Sequence, residues 1–411
     1  MINYNHFTLD NGLEVYVIED HSTPMAAVNV LYNVGSRDED ENKTGFAHLF
    51  EHLMFGGSKN IPNYDAPLQR VGAENNAFTS ADITNYYITL PATNIETAFW
   101  LESDRMMSLS FDPKVLDVQR KVVIEEFKQR YLNQPYGDVW LKLRPLAYKT
   151  HPYRWATIGK EISHIENATL DDVKDFFGKF YIPNNATLVV AGNVSVSQVK
   201  NLCKKWFEPI AIGKKYVRNV PQEATQNEVR YDEISSKVPL DAIYKVFKMP
   251  GRFESGFHTV DLLGDVLGRG KSSILYQNLV RGQQLFNNLT ASITASLDTG
   301  LLVFQGNINK GTDIETAEKA LNEILEISIE EGIEESQLNK VKNQSESSVV
   351  FSEIDLLSRT MNLAFAANAG NADWVNDEAA EIQRITSEEI KASAKQILRK
   401  ENSSTLVVRS C

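Results

Sequence analysis

A cap-helix-strand unit occurs twice in this 411-residue chain, and the repeat limits its fold more than any other feature. In the first copy, Thr169-Leu170-Asp171-Asp172 opens a helix, and Thr187-Leu188-Val189-Val190 follows Pro183-Asn184-Asn185 as a short apolar strand. In the second, Thr386-Ser387-Glu388-Glu389 opens a helix, and Thr405-Leu406-Val407-Val408 follows Glu401-Asn402-Ser403. Both helix starts are Thr-x-x-Asp/Glu, in which two side chains satisfy the orphan N–H groups of the first turn reciprocally. Cap and strand stand 18 residues apart in one copy (169 to 187) and 19 in the other (386 to 405). The echo predicts a tandem duplication of one α+β unit. The expected domains are residues 1–215 and 228–411. Between and around them, Glu-Pro-Ile-Ala-Ile-Gly-Lys-Lys (208–215) and Val-Pro-Gln-Glu-Ala-Thr-Gln-Asn (220–227) interrupt the hydrophobic periodicity.

Other segments fill in the unit. Residues 7–19 alternate apolar and polar around Asn11-Gly12, a hairpin signal. Strands are expected over 26–32 and from Ala77 to Leu90, and helices over 44–55, 95–108 and 114–131. The predicted class is α+β, with two homologous domains, each an antiparallel-rich sheet with helices packed on one face.

Composition removes several alternatives. With 42% hydrophobic and 23% charged residues, the chain is neither disordered nor fibrous. No apolar run approaches the ~18 residues of a membrane span. A net charge of −12, from 42 basic and 54 acidic residues, argues against a general nucleic-acid binder. Two cysteines without a CxxC build neither a disulfide framework nor a thiolate metal site. The N-terminus lacks the basic-then-apolar order of a secretory signal, which points to the cytoplasm; a periplasmic form with its signal removed is the alternative.

The sharpest local signal is His48-Leu49-Phe50-Glu51-His52. Four residues apart on a helix, His48 and His52 stack on one face and can point at one metal ion. Neutral imidazole is a good zinc ligand. Glu51 shares that face without having to ligate, so its carboxylate can take a proton from zinc-activated water. Seven histidines in 411 residues yield such an HxxEH by chance in roughly one chain in a hundred. Phe46, Leu49, Phe50, Leu53, Met54 and Phe55 surround the pair, and polar groups in an apolar helix are costly without a partner. The other histidines, His6, His21, His151, His164 and His258, lack partners at ligand spacing and read as surface or hydrogen-bonded groups. Asp104-Arg105 reads as an ordinary ion pair.

The stretch Gly45 to Phe55, with Asn76-Ala77-Phe78-Thr79-Ser80, Thr84-Asn85-Tyr86-Tyr87 and Arg120-Lys121-Val122-Val123-Ile124-Glu125-Glu126, resembles the inverted-zincin pitrilysin/insulysin family. It is most similar to the mitochondrial processing peptidase and its short bacterial relatives. The resemblance implies one Zn2+ per chain, with a third ligand from a glutamate on a later helix. Glu126, 74 residues after His52 (126 − 52), matches that position better than Glu125, and Val123 and Val122, three and four residues before it, place it over an apolar stripe. Gln119 stands where relatives often carry a further carboxylate. The family uses the Asn76-Ala77 segment as an edge strand that pairs with extended peptide substrate. Arg281 matches a substrate-contacting arginine, but Asn288 stands where a tyrosine is usual. The second half has no HxxEH and is expected to be the non-zinc half. Short members close two such chains around a chamber, which implies a homodimer, or a heterodimer with a paralogue supplying an Arg/Tyr pair. The implied function is a zinc metalloendopeptidase acting on peptides or unfolded segments, with Glu51 as general base. The alternative is a noncatalytic structural or peptide-binding subunit of the same family.

Overall fold

Alternation at the N-terminus folds into the expected hairpin in the computed structural model, which describes residues 1–411. Strand β1 (Asn5–Thr8) pairs antiparallel with β2 (Glu14–Glu19), and Gly12 turns between them at φ +84°. With β3 (Met25–Tyr32), β4 (Glu74–Thr79), β5 (Thr84–Pro91) and β6 (Ala186–Gly192) they form a six-stranded sheet of order β1-β2-β6-β3-β5-β4. The stretch from Ala77 to Leu90 is thus not one strand. It breaks at Ser80, whose Oγ accepts the N–H groups of Asp82 and Ile83 at 3.0 and 3.1 Å and closes a turn.

The second sheet repeats the pattern. Strands β7 (Arg230–Ser236), β8 (Ala242–Met249), β9 (Phe286–Ile293), β10 (Gly300–Ile308) and β11 (Ser403–Ser410) lie in the order β7-β11-β8-β10-β9. Matching β2, β6, β3, β5 and β4 to these five in order reproduces every pairing. Each sheet contains one parallel pair, β2 with β6 and β7 with β11, among antiparallel ones. The first half of the chain supplies helices α1 (Phe46–Leu53), α2 (Ile95–Met107), α3 (Pro113–Phe127), α4 (Val139–Ala147) and α5 (Leu170–Phe180). The second half supplies α6 (Phe257–Gly268), α7 (Leu356–Asn368) and α8 (Ser387–Ile397). Both capping boxes form: Thr169 with Asp172 on α5, and Thr386 with Glu389 on α8. None of the helices is long and apolar enough to cross a membrane.

The chain packs as two units, which differ from the stretches 1–215 and 228–411 by an exchange of helical segments. Residues 1–127, 155–220 and 350–377 form the first unit; residues 128–154, 221–349 and 378–411 form the second. The reason is burial. β6 is buried along its whole length and β3 along nearly all of it, so both faces of the first sheet need cover. Helix α7 packs Leu363 and Ala364 onto the face bearing Leu31, Val189 and Ala191. Reciprocally, α4 packs on β7, β8 and β11 of the second sheet. The α+β fold is as expected, with a second helical layer drawn from the other half of the chain.

The linker region is also pinned within the second unit. Glu223 accepts the backbone N–H groups of Lys149, Thr150 and His151 at 2.8–3.0 Å and the Lys248 ammonium at 2.9 Å. Burial alone would raise its pKa, but these donors outweigh that and hold it down at about 2.

Two outcomes test this packing. Leu363→Ala is expected to destabilise the first unit by about 2–5 kcal/mol, because its side chain is fully buried. Exposed Ile354→Ala should change stability by less than about 0.5 kcal/mol. Urea unfolding followed by tryptophan fluorescence reads this, since Trp100, Trp155, Trp206 and Trp374 all lie in the first unit. The second outcome concerns pH. A carboxylate whose pKa is lower folded than unfolded contributes stability above its unfolded pKa and loses it as pH falls through the folded value. The wild type should therefore lose stability in the second unit between about pH 4.5 and pH 2 from Glu223, and Glu223→Gln should flatten that part of the profile measured by circular dichroism.

Candidate metal centre

Helix α1 is built to present one polar stripe. Phe46, Ala47, Leu49, Phe50 and Leu53 are buried, while His48, Glu51 and His52 share a half-buried edge. The helix starts at Gly45, which has φ +88° and whose missing Cβ would lie 2.5 Å from the Ile158 carbonyl oxygen. Only glycine meets both conditions without strain. Two groups from elsewhere then satisfy the first N–H groups. Glu39 accepts from Gly45 at 3.0 Å and Ala47 at 2.8 Å. Burial pushes the Glu39 pKa up to about 8 even though those two bonds draw it down. His164 Nδ1 accepts the Thr44 N–H at 3.2 Å and lies 2.8 Å from the Thr44 hydroxyl, which in turn accepts the Lys160 N–H. That pattern assigns the ring proton of His164 to Nε2.

Helix α3 lies beside α1 and turns Leu116, Val123 and Phe127 inward. Val122, expected on the apolar stripe, is exposed instead. Of the two glutamates, Glu125 faces solvent, whereas Glu126 is half-buried toward α1. Its Oε2 stands 3.7 Å from His48 Nε2 and 3.6 Å from His52 Nε2. Both separations exceed a good N–H···O hydrogen bond. They fit donors that share an ion, because two ligands about 2.0–2.1 Å from a tetrahedral zinc stand roughly 3.4 Å apart. One donor atom from each of His48, His52 and Glu126 falls within 4.8 Å of the others. The two imidazole planes are nearly perpendicular, at 85°, with centroids 4.8 Å apart. Two imidazoles and one carboxylate make a donor set of the kind that suits zinc. Immediately after Glu126 and Phe127 the chain enters a π-helical turn, Lys128–Leu132.

Glu51 accepts a hydrogen bond from Thr79 Oγ1 at 2.5 Å. Thr79 ends β4, the edge strand of the first sheet, and Asn76 and Ala77 lie on the same strand rather than at its start. The structure thus gathers His48, Glu51, His52, Glu126, Asn76 and Ala77 in the first unit. Arg281 lies in the second unit, exposed on the π-helical turn Tyr276–Gly282, and Asn288 sits on edge strand β9, where its Oδ1 accepts the Asn307 N–H. Arg105 does not pair with Asp104. It is fully buried, forked onto Glu102 at 2.5 and 2.9 Å, and lies over the rings of Tyr64 and Tyr86. Asp104 accepts instead from Ser58 and Asn60. Sequence reasoning missed Glu39, His164 and Thr79 as supports of the centre. Glu39 and His164 carry no local pattern, and Thr79, although part of the Asn76–Ser80 stretch that carries the resemblance, meets Glu51 only through the fold.

The chain is similar to known proteins in sequence and fold. The family profile described as Insulinase (Peptidase family M16) matches residues 14–154, and the one described as Peptidase M16 inactive domain matches residues 167–345. The zinc protease PqqE of Helicobacter pylori is 33% identical over 344 residues, covering 82% of this chain and 77% of that protein. An uncharacterized zinc protease of Bacillus subtilis, YmxG, is 25% identical over 84% of this chain and 83% of its own length. Among solved structures, a protease from Helicobacter pylori superposes with a TM-score of 0.94 at 28% identity, each chain fully covered. The periplasmic protease PqqL of Escherichia coli gives a TM-score of 0.82 at 19% identity; this chain spans 48% of its length. With its duplicated sheets, its HxxEH helix and these relatives, the chain belongs to peptidase family M16, the pitrilysin family.

Proposed function

We propose that the chain is a zinc metalloendopeptidase in which His48, His52 and Glu126 hold the ion and Glu51 is the general base. The observation that carries this reading is the convergence of three donors within 4.8 Å, with the Glu51 carboxylate on the same face of helix α1 as His48 and His52. When bound, zinc supplies Lewis acidity that polarises a peptide carbonyl and eases deprotonation of water. Glu51 takes the proton from the attacking water and returns it to the departing amine, so that water adds across the broken C–N bond. The free edge of β4 pairs with extended substrate through backbone N–H and C=O groups near Asn76 and Ala77, which accounts for action on peptides or unfolded segments. Arg281 is the substrate contact assigned to the second unit. The working form is a dimer, and native mass measurement with and without a co-encoded paralogue distinguishes a homodimer from a heterodimer. The proposed compartment is the cytoplasm; fractionation tests it against the periplasm, where the related Escherichia coli protein works by its description.

One observation favours a second reading. Asn288 in place of tyrosine removes a phenolic donor that could stabilise charge in the transition state, as in a subunit that binds peptide without cleaving it. Cleavage of a quenched fluorescent peptide, with zinc measured by elemental mass spectrometry, decides between them. Glu51→Gln is expected to keep one zinc per chain and lose about 10²–10⁴-fold in kcat. Glu126→Ala should lose the zinc itself. Absence of cleavage by the wild type, alone and with the paralogue, would overturn the enzyme reading.

A further inference from the structure

Resting on that peptidase reading, we infer that Thr79 is the positioning residue that holds Glu51 in place as a base and keeps it from becoming a ligand. Glu51 lies three residues after His48 and one before His52, on the stripe that faces the ion. A glutamate there has three side-chain torsions and a carboxylate with high affinity for a divalent cation. Left unrestrained, it can swing onto the ion and occupy the coordination position that water requires. Something must draw it aside, and the hydroxyl of Thr79, 2.5 Å from Glu51 Oε2, does so.

The donor is well suited to this work. A hydrogen bond from hydroxyl to carboxylate is charge-assisted and among the stronger ones. Threonine is β-branched, so χ1 restricts the direction in which Oγ1 points. Its backbone is fixed at both sides. Thr79 pairs with Thr84 in the β4–β5 ladder, and the next four residues form the turn closed by Ser80. Thr84 is itself anchored, donating to the buried Val34 carbonyl at 2.9 Å. The hydroxyl position is therefore set by sheet register, while Glu51 is set by α1. The bond ties the base to the strand proposed to carry substrate, and no second flexible side chain intervenes.

The test uses the full chain with Thr79→Val, which keeps the shape and removes the donor, and Thr79→Ser, which restores it. Thr79→Val should lose about 10–100-fold in kcat with KM within about twofold of the wild type, while one zinc per chain is retained. Thr79→Ser should return kcat to within about threefold. A crystal structure of zinc-loaded Thr79→Val should place the Glu51 carboxylate among the ligands, and the visible spectrum of its cobalt form should change accordingly. Unchanged kcat in Thr79→Val, equal impairment of Val and Ser, or an unmoved Glu51 overturns the inference. Should Thr79→Val not fold, Thr79→Ala carries the same measurements. If the wild type cleaves nothing, the peptidase reading fails by itself, and the position of Glu51 in the variant structure still decides the role of Thr79.

Discussion

The packing of α1 against α3 brings one carboxylate within 3.7 Å of two imidazoles that lie 74 and 78 residues earlier in the chain (126 − 52 and 126 − 48). Its driving force is apolar. Phe46, Leu49, Phe50 and Leu53 turn inward from one helix, and Leu116, Val123 and Phe127 from the other. Each such side chain contributes about 1.5–3 kcal/mol when fully buried, which offsets the cost of leaving three donors half-desolvated at the edge of the same contact. The start of α1 is then locked by Gly45 in the left-handed region, by Glu39 on its N–H groups and by His164 on Thr44. Position and direction of the stripe bearing His48, Glu51 and His52 follow from these contacts.

The second unit shows how little sequence separates a scaffold from a site. Its helix α6 also starts after a glycine in the left-handed region, Gly256 at φ +89°, against +88° for Gly45. Counting from those glycines, His48, Glu51 and His52 correspond to Thr259, Leu262 and Leu263, and the two leucines are buried. The two sheets share strand order, parallel pair and capping-box helix, yet only the first unit assembles donors for an ion. The same fold thus occurs twice in one chain, once with this cluster of donors and once without it.

Much of this was legible in the sequence, and the reasons are local. Capping boxes at Thr169 and Thr386, the Asn11-Gly12 turn and the i, i+4 histidines are patterns that short-range physics reads directly. The pairing of those histidines with Glu126 rests on resemblance and on two apolar neighbours, of which Val123 is buried and Val122 exposed, because sequence spacing alone does not say which helices meet. Three features stayed hidden. Ser80 split a stretch whose alternation ran on through the turn, because its hydroxyl replaced ladder bonds. Helices α4 and α7 crossed to the sheets of opposite halves, since two-faced burial is a property of the assembled sheet. Thr79 found Glu51 through a contact between a strand end and a helix 28 residues away.

Anomalous diffraction at the zinc edge from crystals grown with zinc tests the central claim most directly. The account predicts one peak per chain, about 2.0–2.2 Å from His48 Nε2, His52 Nε2 and a Glu126 oxygen. A map with no peak between these three residues, or with its peak coordinated by other side chains, would contradict it.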